Sequence, residues 1–523
     1  MRSHALRAAR LAAGLAVITG LMGCGDGAAP VDDPWGDEAS LAFPGAHVML
    51  ISVDTLRADR LGSYGYERDT TPNLDALAAE SILFEQVFSH SPKTASSHMS
   101  LFTSLLPSVH KVRNASSRLE LPVLTLAGNR MTLPQVLNQS GYLNAAVACA
   151  GNIIPDMGFK RGFKQRFVSK MDDVTWHASQ SLLRWNEVLA DSEARSGFVF
   201  MHTYQVHGPY LPPKAFRERF APTPSGMVTE RVAAYSDLPF DQQWRGMNKG
   251  LGNQPPFWDG KDEWGPDEAR YLSDLYDGEV AYTDDVLGDL IDDLRDLGLL
   301  DKMVLVILSD HGEEFYEHGS WEHDQLYAEH LHVPLIVRLP GGRRGGTRVT
   351  GTAGLIDVMP TLLELIELEG PPTMDGTSLV PAIESGRTQN RPVVAERVMF
   401  LPYGEYAASL RSASSQVTFD IPRGADVGQL SAFDLTADPG ELSDVFDEAA
   451  FAEPAADALW RELSRAFSAQ AALDAVDSGR ILRLTDAAKL TELEALGYTD
   501  GGEDEPLSEE QLAETPLVKW PGR

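Results

Sequence analysis

Short apolar runs alternate with stretches of helical period from His47 to about Ser385. Apolar runs of this length predict buried strands, and the periodic stretches between them predict helices. Strands that alternate with helices usually form a parallel sheet covered on both faces. We therefore expect an α/β fold with a large, mostly parallel sheet sandwiched by helices. The runs that predict its strands are residues 47–53, 145–149, 197–201 and 303–309.

The helical stretches have recognisable ends. Thr71 is placed to cap a helix that begins at Pro72, because proline is tolerated in a first helical turn. Apolar residues recur at helical spacing over 267–300, and Gly298 supplies a stop signal. Residues 216–266 are rich in Pro, Gly, Trp and charge without a sustained period, which predicts an insertion or lid loop near the site.

The pattern changes after Ser385. Four short runs predict strands of a small antiparallel α+β subdomain over 386–498, with two helices after them. Residues 499–523 are predicted to be disordered. The catalytic domain would then span 46–385. The four predicted strands are residues 392–395, 407–410, 417–421 and 432–435.

The N-terminus has the pattern of an export signal. Basic residues precede the apolar stretch 11–21, which is too short to span a membrane as an ordinary helix. The stretch leads to Leu21-Met22-Gly23-Cys24, which resembles a bacterial lipobox. We predict a signal peptide over 1–24, a flexible tether over 25–45, and export to the bacterial cell envelope with a lipid anchor at Cys24. A plain signal peptide with an incidental cysteine is the alternative.

Composition narrows the classes of partner. The 523 residues carry a formal net charge of −32. Such a surface repels phosphate backbones, so a nucleic-acid partner is excluded. A site for an anionic substrate would need local positive charge. The chain has two cysteines, and with Cys24 lipidated Cys149 has no partner, so no internal disulfide is expected.

Polar side chains at the ends of two predicted strands indicate a binding site. Asp54 follows the run 47–53, and Asp310 and His311 follow the run 303–309. Carboxyl ends of parallel strands meet at one edge of a sheet, where such folds bind ligands. Two carboxylates and an imidazole, joined by the hydroxyl of Thr94 at the start of a predicted helix, suit a divalent cation. For either aspartate alone, a helix cap or turn explains the pattern equally well.

Several blocks of sequence, in this order and spacing, resemble the sulfatase branch of the alkaline-phosphatase superfamily, and the resemblance extends from about Ala46 to Tyr498. It implies an alkaline-phosphatase-like fold in which Asp54, Asp310 and His311 bind one divalent metal ion. Thr94 would bridge to that ion as the nucleophile. The blocks are residues 54–59 with 64–66 and 71–75, then 97–103, 207–210, 309–313, 332–337 and 357–362.

The resemblance departs from the family at its most reactive position. The sulfatase signature Cys/Ser-x-Pro-x-Arg aligns with Thr94, Ser96 and His98. Sulfatases with the full signature oxidise that Cys or Ser to formylglycine, which expels sulfate by elimination. Thr94 offers no such route, whereas a phospho-threonine beside a metal can be resolved by water in line. The chemistry therefore favours phosphate mono- or diesters, or transfer of a phospho-headgroup.

Two further departures concern the ligands. Thr55 stands where many sulfatases have another metal-binding Asp, which makes the site poorer in oxygen and shifts preference from Ca²⁺ towards Mn²⁺ or Zn²⁺. Ala150-Gly151-Asn152 replaces the family's Lys-x-His segment, and Asn152 is a candidate contact for the substrate oxygens.

The resemblance also suggests roles for basic side chains around the nucleophile. His98 would orient Thr94 or help release the intermediate, and His207 would protonate the leaving oxygen. His323 would contact the transferred group, and Lys93 would add positive charge. Structural explanations stay open: Thr94 as a helix cap, His98 as a packed core residue, His207 and His323 as hydrogen-bonded structural residues, and Lys93 as a surface residue. His202 is interpreted as structural and left out of the site.

The sequence thus predicts a metal-dependent hydrolase of sulfate or phosphate esters that acts through a covalent Thr94 intermediate on an anionic ester. An envelope phospho-headgroup transferase is one alternative, although such enzymes usually carry several membrane helices. A catalytically inactive binding lipoprotein is the other. The oligomeric state stays open.

Overall fold

The structure is a computed structural model that describes residues 39–114, 123–149, 151–169, 174–239, 255–400, 405–421 and 429–446. It also describes the isolated positions 35, 242–243, 246, 250–251, 461 and 481–482. Cys24 and the predicted tail 499–523 lie outside the described residues, as does nearly all of the region in which two C-terminal helices are predicted. The described residues from Leu41 onward form one compact unit.

An eight-stranded sheet forms the centre of this unit. The strand His47–Val53, in the middle of the sheet, lies between two parallel neighbours. The strand His332–Arg338 runs antiparallel to both of its neighbours. The prediction of a mostly parallel sheet is therefore confirmed. The described strands of the whole chain, eight of which form this sheet, are β1 His47–Val53, β2 Ile82–Phe88, β3 Val123–Leu124, β4 Leu143–Cys149, β5 Gln165–Ser169, β6 Gly197–Thr203, β7 Met303–Leu308, β8 Glu314–Phe315, β9 Trp321–Glu322, β10 His332–Arg338, β11 Arg348–Gly354, β12 Val393–Phe400, β13 Glu405–Arg411, β14 Ser415–Ile421, β15 Gln429–Asp434 and β16 Ile481–Leu482.

The order across the central sheet is β11-β2-β10-β7-β1-β6-β4-β5. All six residues of β7 are buried, as are six of the seven in β1. Strands covered on both faces need apolar side chains at every position, which explains the continuous apolar runs in the sequence.

Helices surround the sheet, and the longest packs against several of the others. The described α-helices are α1 Pro72–Ala79, α2 Thr94–Thr103, α3 Pro107–His110, α4 Leu133–Gln139, α5 Val174–Ala190, α6 Lys214–Phe220, α7 Val228–Tyr235, α8 Pro266–Asp296, α9 Ala328–Leu331, α10 Val358–Leu365 and α11 Val380–Ser385. Gly298 follows α8 with a φ of 62°, as its stop signal predicts. No helix in the described parts of the chain is both long and apolar enough to cross a membrane.

The predicted cap of α1 is wrong. The Thr71 side chain makes no capping hydrogen bond, because its hydroxyl accepts from the Gly62 amide and faces Asp75. The Asp284 carboxylate of α8 accepts from the amides of Asn73 and Leu74 instead. The two oxygens of the carboxylate each satisfy a free amide of the helix start, whereas the Thr71 hydroxyl is already engaged by Gly62 and Asp75.

The predicted loop 216–266 contains regular structure. It holds most of α6 and all of α7, where Val228, Val232 and Tyr235 are buried at helical spacing. Two of its tryptophans, Trp258 and Trp264, are buried, and the rings of Trp264 and Trp321 lie 5.6 Å apart. The described parts of the segment therefore belong to the core and do not form a loose lid.

The predicted C-terminal antiparallel sheet is confirmed. Strands β12 to β15 pair in chain order as an antiparallel sheet. Its buried face, which includes Ala408 and Phe419, packs in one cluster with Leu105 and Leu106 from the segment after α2. The boundaries proposed at residues 45, 385 and 498 stay predictions.

Candidate metal and nucleophile site

The ends of three neighbouring strands bring the predicted ligands together. Asp54 follows β1, and Asp310 follows β7, which pairs in parallel with β1. The Asp54 amide donates to the Thr203 carbonyl at the end of β6. Because the three strands run in the same direction, the side chains that follow them meet at one edge of the sheet.

Thr94 completes this cluster from the first turn of α2. Its Oγ1 lies 3.3 Å from Asp54 Oδ2 and 3.4 Å from His311 Nε2. His311 Nε2 lies in turn 3.4 Å from Asp310 Oδ2 and 3.7 Å from Asp54 Oδ1. The side chains of both aspartates and of His311 are fully buried. The four residues therefore form one group.

The donor atoms of this group fit a divalent cation. Within the described ranges, Asp54 Oδ1 and both carboxylate oxygens of Asp310 have no hydrogen-bond partner. Burial raises the pKa of both carboxyl groups, and the neighbouring Asp54 raises that of Asp310 further. His311 donates from Nδ1 to the Gly312 carbonyl, which leaves the Nε2 lone pair for a ligand. Two buried carboxylates with three oxygens left without partners are costly unless a cation binds them.

Thr94 is held as a helical residue and not as a helix cap. Lys93 occupies the capping position in extended conformation, and its side chain makes no capping bond. The Ala95 amide is satisfied by Asn114 Oδ1, and Ser97 Oγ donates to the Asp310 carbonyl. These bonds tie the start of α2 to the end of β7 and fix where the Thr94 hydroxyl lies.

His98 lies one turn along α2, beneath the nucleophile. Its Nδ1 is 2.8 Å from the Thr94 carbonyl oxygen and its Nε2 is 2.9 Å from Ser52 Oγ. The Nδ1 atom also lies 3.4 Å from Asp310 Oδ2. His98 thus supports the backbone of Thr94 and lies near Asp310, and its hydrogen bonds do not involve the Thr94 hydroxyl.

His207 and His323 form a pair beside the cluster. Their Nε2 atoms are 3.0 Å apart, and each Nδ1 is bonded to a carbonyl oxygen, of Gly208 and Pro92 respectively. A carbonyl only accepts, so both Nδ1 atoms donate, and a hydrogen bond between the two Nε2 atoms forms when the pair takes up one further proton. Burial opposes this charge and lowers the pKa of His207 to about 4. The ring of His323 lies 4.5 Å from that of His311, which places the pair next to the cluster.

The remaining predicted residues lie around this centre. Lys93 is mostly buried, and its ammonium forms an ion pair with Asp324, the residue after His323. Asn152 is fully buried, and its backbone N–H donates to the Tyr204 hydroxyl over 3.1 Å. The Tyr204 ring packs against that of His207, with centroids 5.7 Å apart. A contact of Asn152 with substrate stays a prediction.

His202 is a neighbour of the cluster that the sequence interpretation missed. It lies on β6, and its Nε2 is 3.1 Å from Asp54 Oδ2. The available signal was a polar residue near the end of an apolar strand. Whether the His202 side chain lies near Asp54 depends on the register in which β6 pairs with β1. In that register His202 lies opposite Ser52.

Comparison with known proteins agrees with this geometry. The family model "Sulfatase" matches residues 46–368, and the model "N-sulphoglucosamine sulphohydrolase, C-terminal" matches residues 316–468. The chain belongs to the sulfatase family. Sulfatases of this kind are generally metal-dependent, and the cluster of Asp54, Asp310 and His311 is a possible cation site in this one.

Individual relatives of this sulfatase are distant. It is 25% identical to the choline-sulfatase of Rhizobium meliloti over 446 residues, which is 76% of this chain and 82% of the relative. Among solved structures it resembles BT4656 in complex with its substrate D-glucosamine-2-N,6-O-disulfate, at 19% identity and a TM-score of 0.63, over 82% of this chain and 99% of that one.

It also resembles the phosphonate monoester hydrolase of Agrobacterium radiobacter, with 18% identity and a TM-score of 0.60, over 81% of this chain and 96% of that one. These likenesses confirm the alkaline-phosphatase-like fold. The family match, with its curated relatives, makes the chain a sulfuric or phosphoric ester hydrolase.

Proposed function

We propose that this sulfatase-family enzyme hydrolyses phosphate esters, diesters in particular, through a covalent phospho-threonine on Thr94. The observation that supports it is the Thr94 hydroxyl, 3.3 Å from Asp54 and 3.4 Å from His311, at the position where the family carries its formylglycine precursor. Threonine has no route to that aldehyde, yet the cation ligands around it are kept.

The proposed reaction has two displacements. In the reactive form Thr94 is ionised, its hydroxyl proton having passed to solvent. Oγ1 attacks phosphorus while the ester oxygen leaves as an alcohol with the proton held between His207 and His323. Water then attacks the phospho-threonine in line and returns one proton to the imidazole pair, while the P–Oγ1 bond breaks and Thr94 is released in its ionised form. The product is phosphate from a monoester, or a phosphate monoester from a diester. A divalent ion at Asp54, Asp310 and His311 would lower the pKa of the hydroxyl and offset charge on the transferred group.

Charge balance favours a singly charged ester. The two positive charges of a divalent cation at this site would be offset by the carboxylates of Asp54 and Asp310. The Lys93 ammonium beside the nucleophile is already paired with Asp324. A phosphodiester or a phosphonate monoester carries one negative charge, whereas a phosphate monoester carries about two near neutral pH, because its second pKa is about 6.

For the cation we propose Mn²⁺ or Zn²⁺ in preference to Ca²⁺. The candidate ligands are two carboxylates, one imidazole and one hydroxyl, with no carboxylate at Thr55. Calcium takes six to eight oxygen ligands as a rule, and imidazole suits the transition metals.

The experiment that tests the proposal is a parallel assay of four aryl esters: a sulfate, a phosphate monoester, a phosphodiester and a phosphonate monoester. The apo enzyme is loaded with Mn²⁺, Zn²⁺ or Ca²⁺ in turn, and kcat/KM is measured for wild type, Thr94→Ala and Thr94→Ser. We expect the diester or phosphonate to be turned over fastest. Thr94→Ala should lower kcat by at least about 10³-fold, while Thr94→Ser keeps measurable activity.

The outcomes separate the alternatives. Full activity in Thr94→Ala would exclude the covalent intermediate, and turnover of the sulfate ester alone would exclude the phosphate preference. Metal binding without turnover of any ester would leave an inactive binding protein. Phospho-threonine trapped by acid quench and located on Thr94 by mass spectrometry would support the proposal directly.

We also propose that the enzyme is exported and anchored in the bacterial cell envelope through Cys24. This rests on the lipobox-like Leu21-Met22-Gly23-Cys24 alone, which lies outside the described residues.

A further inference from the structure

A buried histidine stands directly behind the proposed cation ligands. His202 Nε2 lies 3.1 Å from Asp54 Oδ2, and both side chains are fully buried. A carboxylate bound to a cation only accepts hydrogen bonds, so Nε2 must carry the proton and donate it. We propose that His202 is a positioning residue, which holds the Asp54 carboxylate in the orientation that binds the cation. The proposal rests on the proposed function, in which Asp54 is a metal ligand.

The two oxygens of Asp54 have different surroundings. Oδ2 accepts from both His202 and the Thr94 hydroxyl. Oδ1 has no hydrogen-bond partner in the described part of the chain and lies on the side of His311 Nε2, at 3.7 Å. A donor on Oδ2 therefore stops the carboxylate from rotating and leaves Oδ1 for the cation. Partners of this kind contribute substantially to metal affinity although they do not touch the metal.

Packing holds the His202 ring in place. It meets the Tyr204 ring edge-on at 4.7 Å between centroids and the His98 ring edge-on at 4.8 Å. Aromatic rings on two sides leave the imidazole little freedom to turn, so its donor stays aimed at Asp54. A fixed donor costs no side-chain entropy when the cation binds.

His98 packs against His202 and lies near the second carboxylate without bonding to it. Its Nδ1 is 3.4 Å from Asp310 Oδ2, but the hydrogen bond of that nitrogen goes to the Thr94 carbonyl. By the resemblance, His98 stands where the sulfatase signature has a guanidinium. Replacing that cationic side chain by an imidazole leaves the charge of the two carboxylates to the bound metal, and the His202 donor retains the orientation of Asp54.

The same pair could instead be imagined as a second cation site, since His98, His202 and Asp310 lie close together. The hydrogen bonds of His98 argue against it. Its Nδ1 donates to the Thr94 carbonyl at 2.8 Å, and its Nε2 is engaged by Ser52 Oγ at 2.9 Å. Neither nitrogen has a free lone pair, so we expect one ion per chain.

The test compares His202→Leu, which removes the donor, with His202→Gln, whose side-chain amide can reproduce a donor near Nε2. His90→Leu is the matched control, because His90 is equally buried and donates to the Val394 carbonyl of the C-terminal sheet. The dissociation constant for Mn²⁺ is measured on the apo full-length proteins by chelator competition. Metal content is measured by mass spectrometry, and apo thermal unfolding reports folding.

We expect His202→Leu to bind Mn²⁺ about 10- to 100-fold more weakly than wild type, with His202→Gln within about threefold. His90→Leu should change thermal stability and leave the affinity unchanged. Wild-type affinity in His202→Leu would overturn the proposal, as would a His202→Gln protein that binds as weakly as His202→Leu. A second ion that is lost in His202→Leu would make His202 a ligand and overturn it too. If wild type binds no divalent ion, it is the proposed function that fails.

Discussion

Thr55 is the residue that best shows how this site differs from an oxygen-rich one. It follows the ligand Asp54 and adopts a φ of 57°, in the left-handed region that a β-branched residue rarely enters. Its Oγ1 is buried without a hydrogen-bond partner in the described ranges. Aspartate tolerates this conformation better and would add a carboxylate.

We therefore expect Thr55→Asp to shift the metal preference and to lower the stability of the metal-free protein, because it adds a third buried carboxylate beside Asp54 and Asp310. The added carboxylate should strengthen Ca²⁺ binding relative to Mn²⁺ on the order of tenfold. Dissociation constants for the two ions, measured on apo wild type and apo Thr55→Asp, check this. Thr55→Ser, which adds no ligand charge, is the control, and an unchanged Ca²⁺ to Mn²⁺ ratio in Thr55→Asp would contradict the prediction.

The sequence alone was sufficient to predict that the residues at the ends of parallel strands lie together. Asp54, Asp310 and His311 end apolar runs, and parallel strands necessarily bring such ends together. His202 was missed because its relation to Asp54 depends on strand register, which the apolar run of β6 does not reveal. The register of Thr94 came from the family resemblance, and its distances to Asp54 and His311 now agree with it.

At the scale of elements, helix α1 depends on a distant carboxylate. Asp284 of α8 accepts from the amides of Asn73 and Leu74 and from the Asn73 side chain. No local pattern predicts a cap supplied from 210 positions along the chain. Helices α6 and α7 were missed for a related reason, since Pro, Gly and Trp between short helices conceal their period.

The Asp284 cap predicts a pH dependence of stability. Burial raises the pKa of Asp284 from 3.8 to about 6, so the folded state binds this proton more tightly than the unfolded state. The resulting stabilisation is complete below about pH 4 and is lost as the pH rises towards 6. Asp284→Asn removes the titration, and we expect a flatter free energy of unfolding between pH 4 and 6 than in wild type.

Urea unfolding at pH 4, 5, 6 and 7 measures this slope. Asp285→Asn is a useful control, because Asp285 is the next residue of α8 and is exposed. If wild type and Asp284→Asn have parallel profiles over this range, Asp284 titrates in the folded state as it does in the unfolded one.

At the scale of the whole molecule, the question is what would hold an acidic enzyme at a membrane. The net charge of −32 gives repulsion from anionic lipid surfaces, and no helix in the described parts of the chain can span the bilayer. Under the proposed anchoring, acylation of Cys24 would supply an attraction that outweighs this repulsion, because each buried methylene group contributes about 0.8 kcal/mol.

We predict that Cys24→Ser moves the enzyme from the membrane pellet to the soluble envelope fraction of the producing bacterium, with loss of acyl-chain labelling. Because Cys24 precedes the compact unit that begins at residue 41, kcat/KM on a soluble phosphodiester should stay within about twofold of wild type. Cys149→Ser controls for loss of a thiol in general. An enzyme that stays in the pellet as Cys24→Ser, through a high-salt wash, would show that acylation of Cys24 is not what holds it there.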